Sequence, residues 1–339
     1  MTTSPLIRMG IDIGFGDVKA VAGRITENGR IDTDMFKFPS AVARIRKKAV
    51  AGLDDAQVEY GFENQKYLAG NDALISANLI PSRDMDFIME FSPLLIFKAF
   101  ECAAQIYHLP VESLCHSVEV CLGLPLAYYM DKKDELARRL ARFEISGQEV
   151  TFTRIGIQAQ SQGILLDFLF DEHCRPNRKW LGSDLLILDI GFNTIDILCV
   201  HEGRSSSEWS NMLEGAGLCR ICRELDIELK KTGLELPEQA VKNALEHRRV
   251  SIYGRDIDLS ATIAQLSRDY ADFLYREIKS RLSDVLKNTR KLIVAGGGAY
   301  YVAPFFREKF PDDFLTVPVH AEFSNARGYY KYLKGVKNG

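Results

Sequence analysis

The chain has 339 residues, a hydrophobic fraction of 46% and a formal net charge of −3. That length suits two domains with a core each, and the balanced charge disfavours direct nucleic-acid binding, which needs a basic surface. No apolar run is long enough for a membrane span, and the N-terminus lacks a secretory pattern. Seven cysteines among apolar neighbours indicate reduced thiols in a cytoplasmic protein, with Cys219-x-x-Cys222 read as part of a helix core rather than a metal or redox pair.

The first predicted elements form a meander of strands. Alternating apolar residues predict strands over 7–13, 18–25 and 31–38, with a turn at Gly14-Phe15-Gly16-Asp17 and a hairpin at Asn28-Gly29. P-loop and Rossmann motifs need a helix directly after the glycine turn. A strand follows here, so the sequence excludes both of these phosphate-binding motifs.

The remaining elements alternate between helices and strands. For the first half, the pattern predicts a helix over 92–108 with Ser92 as N-cap and Pro93 in its first turn, strands over 116–124 and 149–158, and helices over 131–143 and 161–170. The polar segment 173–184 is the expected crossing between two halves. The second half predicts strands on both sides of Gly191-Phe192-Asn193-Thr194, helices over 212–229, 237–247 and 260–288, a strand before Gly296-Gly297-Gly298, and a terminal helix ending at Gly335.

A repeat links the two halves of the chain. Asp12-Ile13-Gly14-Phe15 recurs as Asp189-Ile190-Gly191-Phe192, roughly half the chain later, and both copies stand between two predicted strands. A repeat in the same context at this spacing predicts two related domains.

The repeated turns carry residues suited to a polyphosphate. We expect their glycines to adopt positive φ and to let backbone N–H groups approach an anion. Asp12 and Asp189 can hold Mg²⁺, usually through water. Lys19 can reach a phosphate as a point charge.

Three glycine segments resemble the actin/Hsp70/sugar-kinase ATPase superfamily. Residues 12–19 are similar to its first phosphate motif, 188–196 to its second and 294–299 to its adenosine motif. Within the superfamily, the chain most resembles bacterial and archaeal actin-like proteins of the ParM type, which segregate plasmids. That resemblance extends to three further segments, Phe38-Pro39-Ser40, Gly123-Leu124-Pro125-Leu126 and Phe323-Ser324-Asn325-Ala326-Arg327-Gly328-Tyr329.

The resemblance implies an α/β fold of two related actin-like (ribonuclease H-like) domains with a nucleotide in the cleft between them. Domain I would take residues 1–175, as subdomains IA (1–25 and 90–175) and IB (26–89), plus the terminal helix 326–339. Domain II would take residues 176–325, as subdomains IIA (176–232 and 290–325) and IIB (233–289). The implied cofactors are ATP or ADP and Mg²⁺.

The resemblance also implies roles for individual residues. Gln160 would orient the attacking water, with Gln162 as the alternative if the register slips by two, and Asp12 and Asp189 would be catalytic and hold Mg²⁺. Hydrolysis should be slow, because a glutamine can only position the water. The implied phosphate-binding residues are Gly14, Phe15, Gly16, Asp17, Lys19, Gly191, Phe192, Asn193 and Thr194. The implied adenosine- or ribose-binding residues are Gly215, Gly217, Gly296, Gly297, Gly298 and Ala299.

The function implied by the resemblance is an ATPase that forms nucleotide-dependent filaments by head-to-tail contacts. It would reach plasmid DNA through an adaptor protein. A non-polymerising adaptor or a cell-division or membrane module of the same fold is the main alternative, and a small-molecule kinase is a weaker one. An Hsp70-type chaperone is disfavoured, because it would need a substrate-binding domain after the ATPase part.

Overall fold

The computed structural model describes residues 7–25, 31–45, 57–82 and 84–335. The chain divides into two compact units. Unit 1 comprises Met1–Lys179 and Phe323–Gly339, and unit 2 comprises Trp180–Glu322. The predicted turn at Asn28-Gly29 lies outside the described residues.

Unit 1 contains most of the strands. They are β1 (Ile7–Ile13), β2 (Asp17–Ile25), β3 (Ile31–Pro39), β4 (Val42–Arg44), β5 (Tyr60–Phe62), β6 (Gln65–Ala69), β7 (Leu79–Ile80), β8 (Val118–Leu124), β9 (Phe143–Ile145), β10 (Gln148–Val150) and β11 (Arg154–Ala159). Its first helices are α1 (Asn71–Leu74), α2 (Met85–Tyr107), α3 (Tyr129–Leu140) and α4 (Gln162–Leu169).

Unit 2 has fewer strands than unit 1. Its strands are β12 (Leu185–Ile190), β13 (Thr194–His201), β14 (Arg204–Glu214), β15 (Arg249–Ile252), β16 (Arg255–Asp258), β17 (Lys291–Ala295) and β18 (Leu315–Thr316). Its helices are α5 (Cys219–Lys231), α6 (Glu238–His247), α7 (Ser260–Arg281), α8 (Ser283–Asn288) and α9 (Ala299–Phe306). The chain then returns to unit 1 as helix α10 (Ser324–Leu333).

The central sheets of the two units have the same topology. The strand order is β3-β2-β1-β8-β11 in unit 1 and β14-β13-β12-β17-β18 in unit 2. In each sheet the first three strands form an antiparallel meander and the last two join it in parallel. The prediction of two related α/β units is therefore confirmed.

Helix α2 supplies much of the core of unit 1, and it starts earlier than predicted. Asp84 is its N-cap, and the Asp84 side chain accepts a hydrogen bond from the Phe87 N–H at 2.9 Å. Ser92, the predicted N-cap, is buried inside the helix and donates its hydroxyl to the Ile88 carbonyl. Pro93 also lies inside the helix, because apolar side chains on both sides of it have a core to fill.

The predicted helix over 212–229 is wrong at its start. Residues up to Glu214 belong to β14, which pairs with β13, and the helix begins only at Cys219. The partner strand supplies hydrogen bonds that a helix would otherwise have made. Residues 249–258, for which no element was predicted, form the β15–β16 hairpin.

Two other predicted elements are divided in the structure. The predicted helix over 260–288 breaks at Leu282, whose φ is −126°, into α7 and α8. The predicted strand over 149–158 separates into β10 and β11, which belong to different sheets.

Helix α10 packs closely on unit 1 because glycines at the contact points let the backbones approach each other. A Cβ on Gly10 of β1 would lie 2.1 Å from the Ala326 carbonyl oxygen. A Cβ on Gly328 would lie 1.8 Å from the carbonyl oxygen of Gly163, near the start of α4. Only glycine fits at these contacts, so α10 is held against both β1 and α4.

Candidate functional site

The first glycine turn joins β1 to β2 through Gly14-Phe15-Gly16. Gly14 N donates to the Asp17 carbonyl at 3.2 Å, and the strand pairs before the turn are Ile13 with Val18 and Asp12 with Lys19. Lys19 Nζ lies 3.1 Å from the position that a Cβ on Gly14 would take. The turn therefore places the ammonium group of Lys19 over Gly14 and close to the carboxylate of Asp12.

The second glycine turn has the same construction in unit 2. Gly191 N donates to the Thr194 carbonyl at 2.9 Å, and the pairs before the turn are Ile190 with Ile195 and Asp189 with Asp196. Asp189 thus holds the position in its hairpin that Asp12 holds in the first.

The expected positive φ at these turns is wrong for Gly14 and Gly191, since neither adopts it. The requirement for glycine is one of space. An added Cβ would lie 3.2 Å from the Asp17 carbonyl oxygen at Gly14 and 3.2 Å from the Thr194 carbonyl oxygen at Gly191. A side chain at either position would press on the turn's own backbone.

The start of α5 binds the carbonyl groups of the second turn. The oxygens of Gly191, Phe192 and Asn193 accept hydrogen bonds from consecutive N–H groups of residues 217–219, at 2.8 to 3.2 Å. A Cβ on Gly217 would lie 2.5 Å from the Phe192 oxygen, so this glycine allows the close approach. These carbonyl oxygens, which would repel a bound anion, are therefore already engaged in hydrogen bonds.

Two serines engage the acceptors of the first turn in a similar way. Ser82 Oγ donates to the Phe15 carbonyl at 3.0 Å, and Ser40 N donates to the Gly16 carbonyl at 3.1 Å. The hydroxyl groups of Ser40 and Ser161 are buried without a hydrogen-bond partner within the described part of the chain. Unpartnered buried hydroxyls near the turn and near Gln160 fit a ligand that carries several acceptor oxygens.

In unit 1, the carboxylate of Asp12 lies close to both Lys19 and Gln160. The residue is 6% exposed, and its Oδ1 accepts a hydrogen bond from Gln160 Nε2 at 2.8 Å. Burial raises the pKa of Asp12 above its ordinary value, while the charge of Lys19 and hydrogen bonds from Gln160 and Asn325 act to lower it.

Gln160 is fixed by both its backbone and its side chain. Its N–H donates to the Leu124 carbonyl at 2.7 Å, and its amide reaches Asp12. Gln162 lies in the first turn of α4 and is half-buried. The structure therefore brings Gln160, Asp12 and Lys19 together, and it places Asn325, to which sequence reasoning gave no role, in the same group.

In unit 2, Asp196 lies within the segment similar to the second phosphate motif, and the resemblance implied no role for it. Asp189 and Asp196 are cross-strand partners, 7% and 2% exposed, and cross-strand partners lie on the same face of a sheet. Neighbouring buried carboxylates repel each other and favour a cation. No group of three or more potential metal ligands occurs within the described residues, but Mg²⁺ commonly takes only one or two carboxylates, with water and phosphate as its other ligands.

Of the three glycines that follow β17, two pack closely against β12 and the third borders open space. A Cβ on Gly296, whose φ is 80°, would lie 2.5 Å from the Ile190 carbonyl oxygen, and one on Gly298 would lie 2.1 Å from Ile190 Cγ2. A Cβ on Gly297 would meet nothing within 4 Å. Gly296 and Gly298 are thus needed against the end of β12, whereas Gly297 borders open space.

Two other predictions concern residues around α5. Gly215 has a φ of 65°, which suits glycine at the turn before the helix. Cys219 and Cys222 are buried cysteines outside any disulfide within the described residues, and burial raises the pKa of Cys222 to about 12. A thiol with that pKa stays protonated and does not act as a nucleophile at neutral pH.

Within the described parts of the chain, no helix combines the length and the apolar character needed to cross a membrane.

Comparisons with known proteins agree with this fold. A family model for the N-terminal domain of actin-like proteins matches residues 10–164, and a model for the C-terminal part of archaeal MreB-like actin homologues matches residues 187–308. Together they cover most of the chain, which therefore belongs to the actin-like superfamily.

The chain is similar in fold to ParM and to an archaeal actin homologue. A non-polymerisable quadruple mutant of pCBH ParM is 19% identical with a TM-score of 0.74, over 97% of this chain and 99% of the other. The archaeal homologue Ta0583 in complex with ADP is 20% identical with a TM-score of 0.73, over 97% and 99%. A 15-stranded ParM filament from Clostridium botulinum is 17% identical with a TM-score of 0.71, over 98% and 99%. No curated protein matches the sequence.

Proposed function

We propose that this chain binds ATP with Mg²⁺, hydrolyses it slowly and forms filaments whose lifetime depends on the nucleotide. The observation that carries the proposal is the buried group at the first glycine turn, in which Lys19 and Gln160 converge on Asp12. A second turn of the same construction, with Asp189 in the place of Asp12, supports it.

The roles proposed for these residues follow from their chemistry. Lys19 neutralises phosphate charge, and the two turns offer backbone N–H groups to phosphate oxygens. Asp12 and Asp189 are the residues proposed to hold Mg²⁺ through water, and the bound ion would neutralise charge on the phosphate oxygens. Gln160 cannot accept a proton at neutral pH, so its proposed role is to orient the attacking water, which favours slow turnover.

The adenosine part of the proposal concerns the glycine segments of unit 2. Gly297 is the position in its segment where an adenine ring could lie without a clash, since an added Cβ there has no neighbour within 4 Å. Gly215, Gly217 and Ala299 stay in the proposal as neighbours of the ribose and base.

Filament formation and its biological use are proposed from the similar proteins. One of them is a ParM filament and another is described as a non-polymerisable ParM mutant. We extend this to head-to-tail self-association of the present chain. Plasmid segregation through a DNA-bound adaptor, in the cytoplasm, completes the proposal.

One pair of measurements tests it. Purified protein at micromolar concentration is incubated with ATP or ADP and Mg²⁺, and phosphate release and sedimentation are followed, with negative-stain microscopy of the pellet. We expect ATP-dependent filaments and slow phosphate release, and we expect Asp189→Ala to lose the phosphate release.

Three results would contradict parts of the proposal. Monomers that persist in ATP and Mg²⁺ would favour a non-polymerising adaptor of the same fold. Wild-type phosphate release by Asp189→Ala would show that the metal site is elsewhere. ADP production that depends on an added sugar or glycerol would favour a small-molecule kinase.

A further inference from the structure

Asn325, near the start of α10, links two parts of the candidate site. The residue is 4% exposed, and its Oδ1 accepts a hydrogen bond from Ser161 N at 3.0 Å. The same side chain makes a hydrogen bond to Asp12. Because the oxygen of the amide is engaged by Ser161, the NH₂ group is the one that donates to the Asp12 carboxylate.

Ser161 has a backbone conformation that is unusual for a serine. Its φ of 67° lies in the left-handed region, which a serine adopts at a cost in free energy. It directly follows Gln160 and precedes α4. The hydrogen bond from Ser161 N to Asn325 helps to retain this conformation and so fixes the direction in which the chain leaves Gln160.

The position of Asn325 is itself firmly set by the rest of α10. Arg327 donates to both carboxylate oxygens of Asp167 in α4, at 2.7 to 3.1 Å. Lys331 Nζ donates to Asp167 Oδ1 at 2.7 Å and to the Phe170 carbonyl at 2.7 Å. Asp167 is only 6% exposed, so these ion pairs are shielded from water.

We propose that Asn325 is a positioning residue for hydrolysis, which ties Asp12 to the turn that carries Gln160 and so keeps the water-orienting amide in register with that carboxylate. The inference rests on the proposed ATPase function and extends it to the C-terminal helix. Loss of Asn325 should leave the phosphate-binding turns intact. It should disturb mainly the position of Gln160 relative to the carboxylate of Asp12.

The kinetic test compares Asn325→Ala with Asn243→Ala. Asn243 is exposed on α6, and its Oδ1 accepts a hydrogen bond from Gln239 Nε2 at 3.0 Å, so the same side chain is removed away from the site. We expect Asn325→Ala to lower kcat by about tenfold or more, because small misplacements of a positioned group are costly. The KM for ATP should stay within about threefold of the wild-type value, since interactions that bind the ground state and the transition state equally are unaffected. Equal kcat values for Asn325→Ala and Asn243→Ala, or a change confined to KM, would overturn the proposal.

An unfolding test examines the contact itself and needs no ATP. Asn325→Asp keeps the acceptor for Ser161 but sets a second carboxylate against Asp12, so we expect it to lower the Tm of the nucleotide-free protein. Adding Asp12→Asn restores a donor and an acceptor in exchanged positions, so Asp12→Asn should raise the Tm by more in the Asn325→Asp background than in the wild type, where it only relieves the buried charge. Asn243→Asp controls for the change in charge.

The two tests separate failure of the inference from failure of the proposed function. If Asp12→Asn raises the Tm no more in the Asn325→Asp background than in the wild type, or fails to restore folding to an Asn325→Asp chain that does not fold, the contact between Asn325 and Asp12 is overturned. If the gain in Tm is larger in the Asn325→Asp background but the wild-type chain hydrolyses no ATP, the contact stands and the proposed function, with the positioning role, falls.

Discussion

Burial raises the pKa of Asp12, because a carboxylate enclosed by protein loses the hydration of its charge. A folded-state pKa above the ordinary value of 3.8 means that the folded protein binds this proton more tightly than the unfolded chain does. The contribution of Asp12 to stability is therefore greatest below 3.8 and is lost as the pH rises through its folded-state pKa.

Asp12→Asn should accordingly stabilise the nucleotide-free protein near neutral pH. It removes the cost of the buried charge and keeps an oxygen to accept the hydrogen bond from Gln160, and the lost hydrogen bond from Asn325 offsets only part of this gain. Thermal unfolding at about pH 7 and about pH 4 checks this, and the gain in Tm should shrink at the lower pH. The variant should also lose the stabilisation by ATP and Mg²⁺. A lower Tm than the wild type at neutral pH would show that the carboxylate of Asp12, with the hydrogen bonds it accepts, stabilises the folded state.

Gln160 and Gln162 can be told apart by matched alanine variants. Gln160→Ala should slow ATP hydrolysis by about tenfold or more and leave ATP binding largely intact, because the amide orients water and does not bind the nucleotide. Gln162→Ala, two residues further along the chain, should leave hydrolysis near the wild-type rate. Phosphate release and nucleotide titration measure both quantities, and the opposite pattern would move the proposed role to Gln162.

At the scale of elements, the turn between β17 and α9 offers a contrast between adjacent glycines. Gly297→Ala adds a methyl group into open space, whereas Gly298→Ala drives one against Ile190. We expect Gly297→Ala to keep the Tm of the wild type and to weaken ATP binding, because the methyl group would occupy the proposed adenine position. Gly298→Ala should lower the Tm in the absence of nucleotide.

Thermal unfolding with and without ATP measures both glycine effects. Unchanged ATP affinity in Gly297→Ala would place the adenine elsewhere. An unchanged Tm in Gly298→Ala would show that β12 can shift away from the added methyl group.

At the scale of the whole molecule, filament lifetime should follow hydrolysis. If loss of the γ-phosphate weakens contacts between protomers, Gln160→Ala filaments should outlast wild-type filaments formed with the same ATP. Light scattering after a single addition of ATP gives the lifetime, and Gln162→Ala serves as the control. Equal lifetimes despite slower hydrolysis would mean that hydrolysis does not govern disassembly.

Local patterns were sufficient for the glycine turns and the repeat. A short turn between two apolar strands depends on neighbours in sequence, so the turns predicted at 14–17 and 191–194 differ by only one residue from those observed at 14–16 and 191–193. The shared strand order of the two sheets follows from the same duplication.

Elements whose partners are distant in sequence were predicted poorly. Glu214 belongs to a strand because β13 offers it hydrogen bonds, although its own sequence favours a helix start. Pro93 predicts the beginning of a helix, yet Asp84 caps that helix earlier and the core accommodates the proline. Propensity describes a residue with its near neighbours, and packing can override it.

The sequence by itself determined the two glycine turns with their aspartates, because those features are local and repeated. Only the tertiary structure decided which distant side chains meet at the first turn. Asp12, Gln160 and Asn325 come from β1, from the residue after β11 and from α10, and no short-range pattern relates them. They meet because β1 and β8 pair in parallel, because β11 joins β8, and because glycines let α10 pack against β1 and α4.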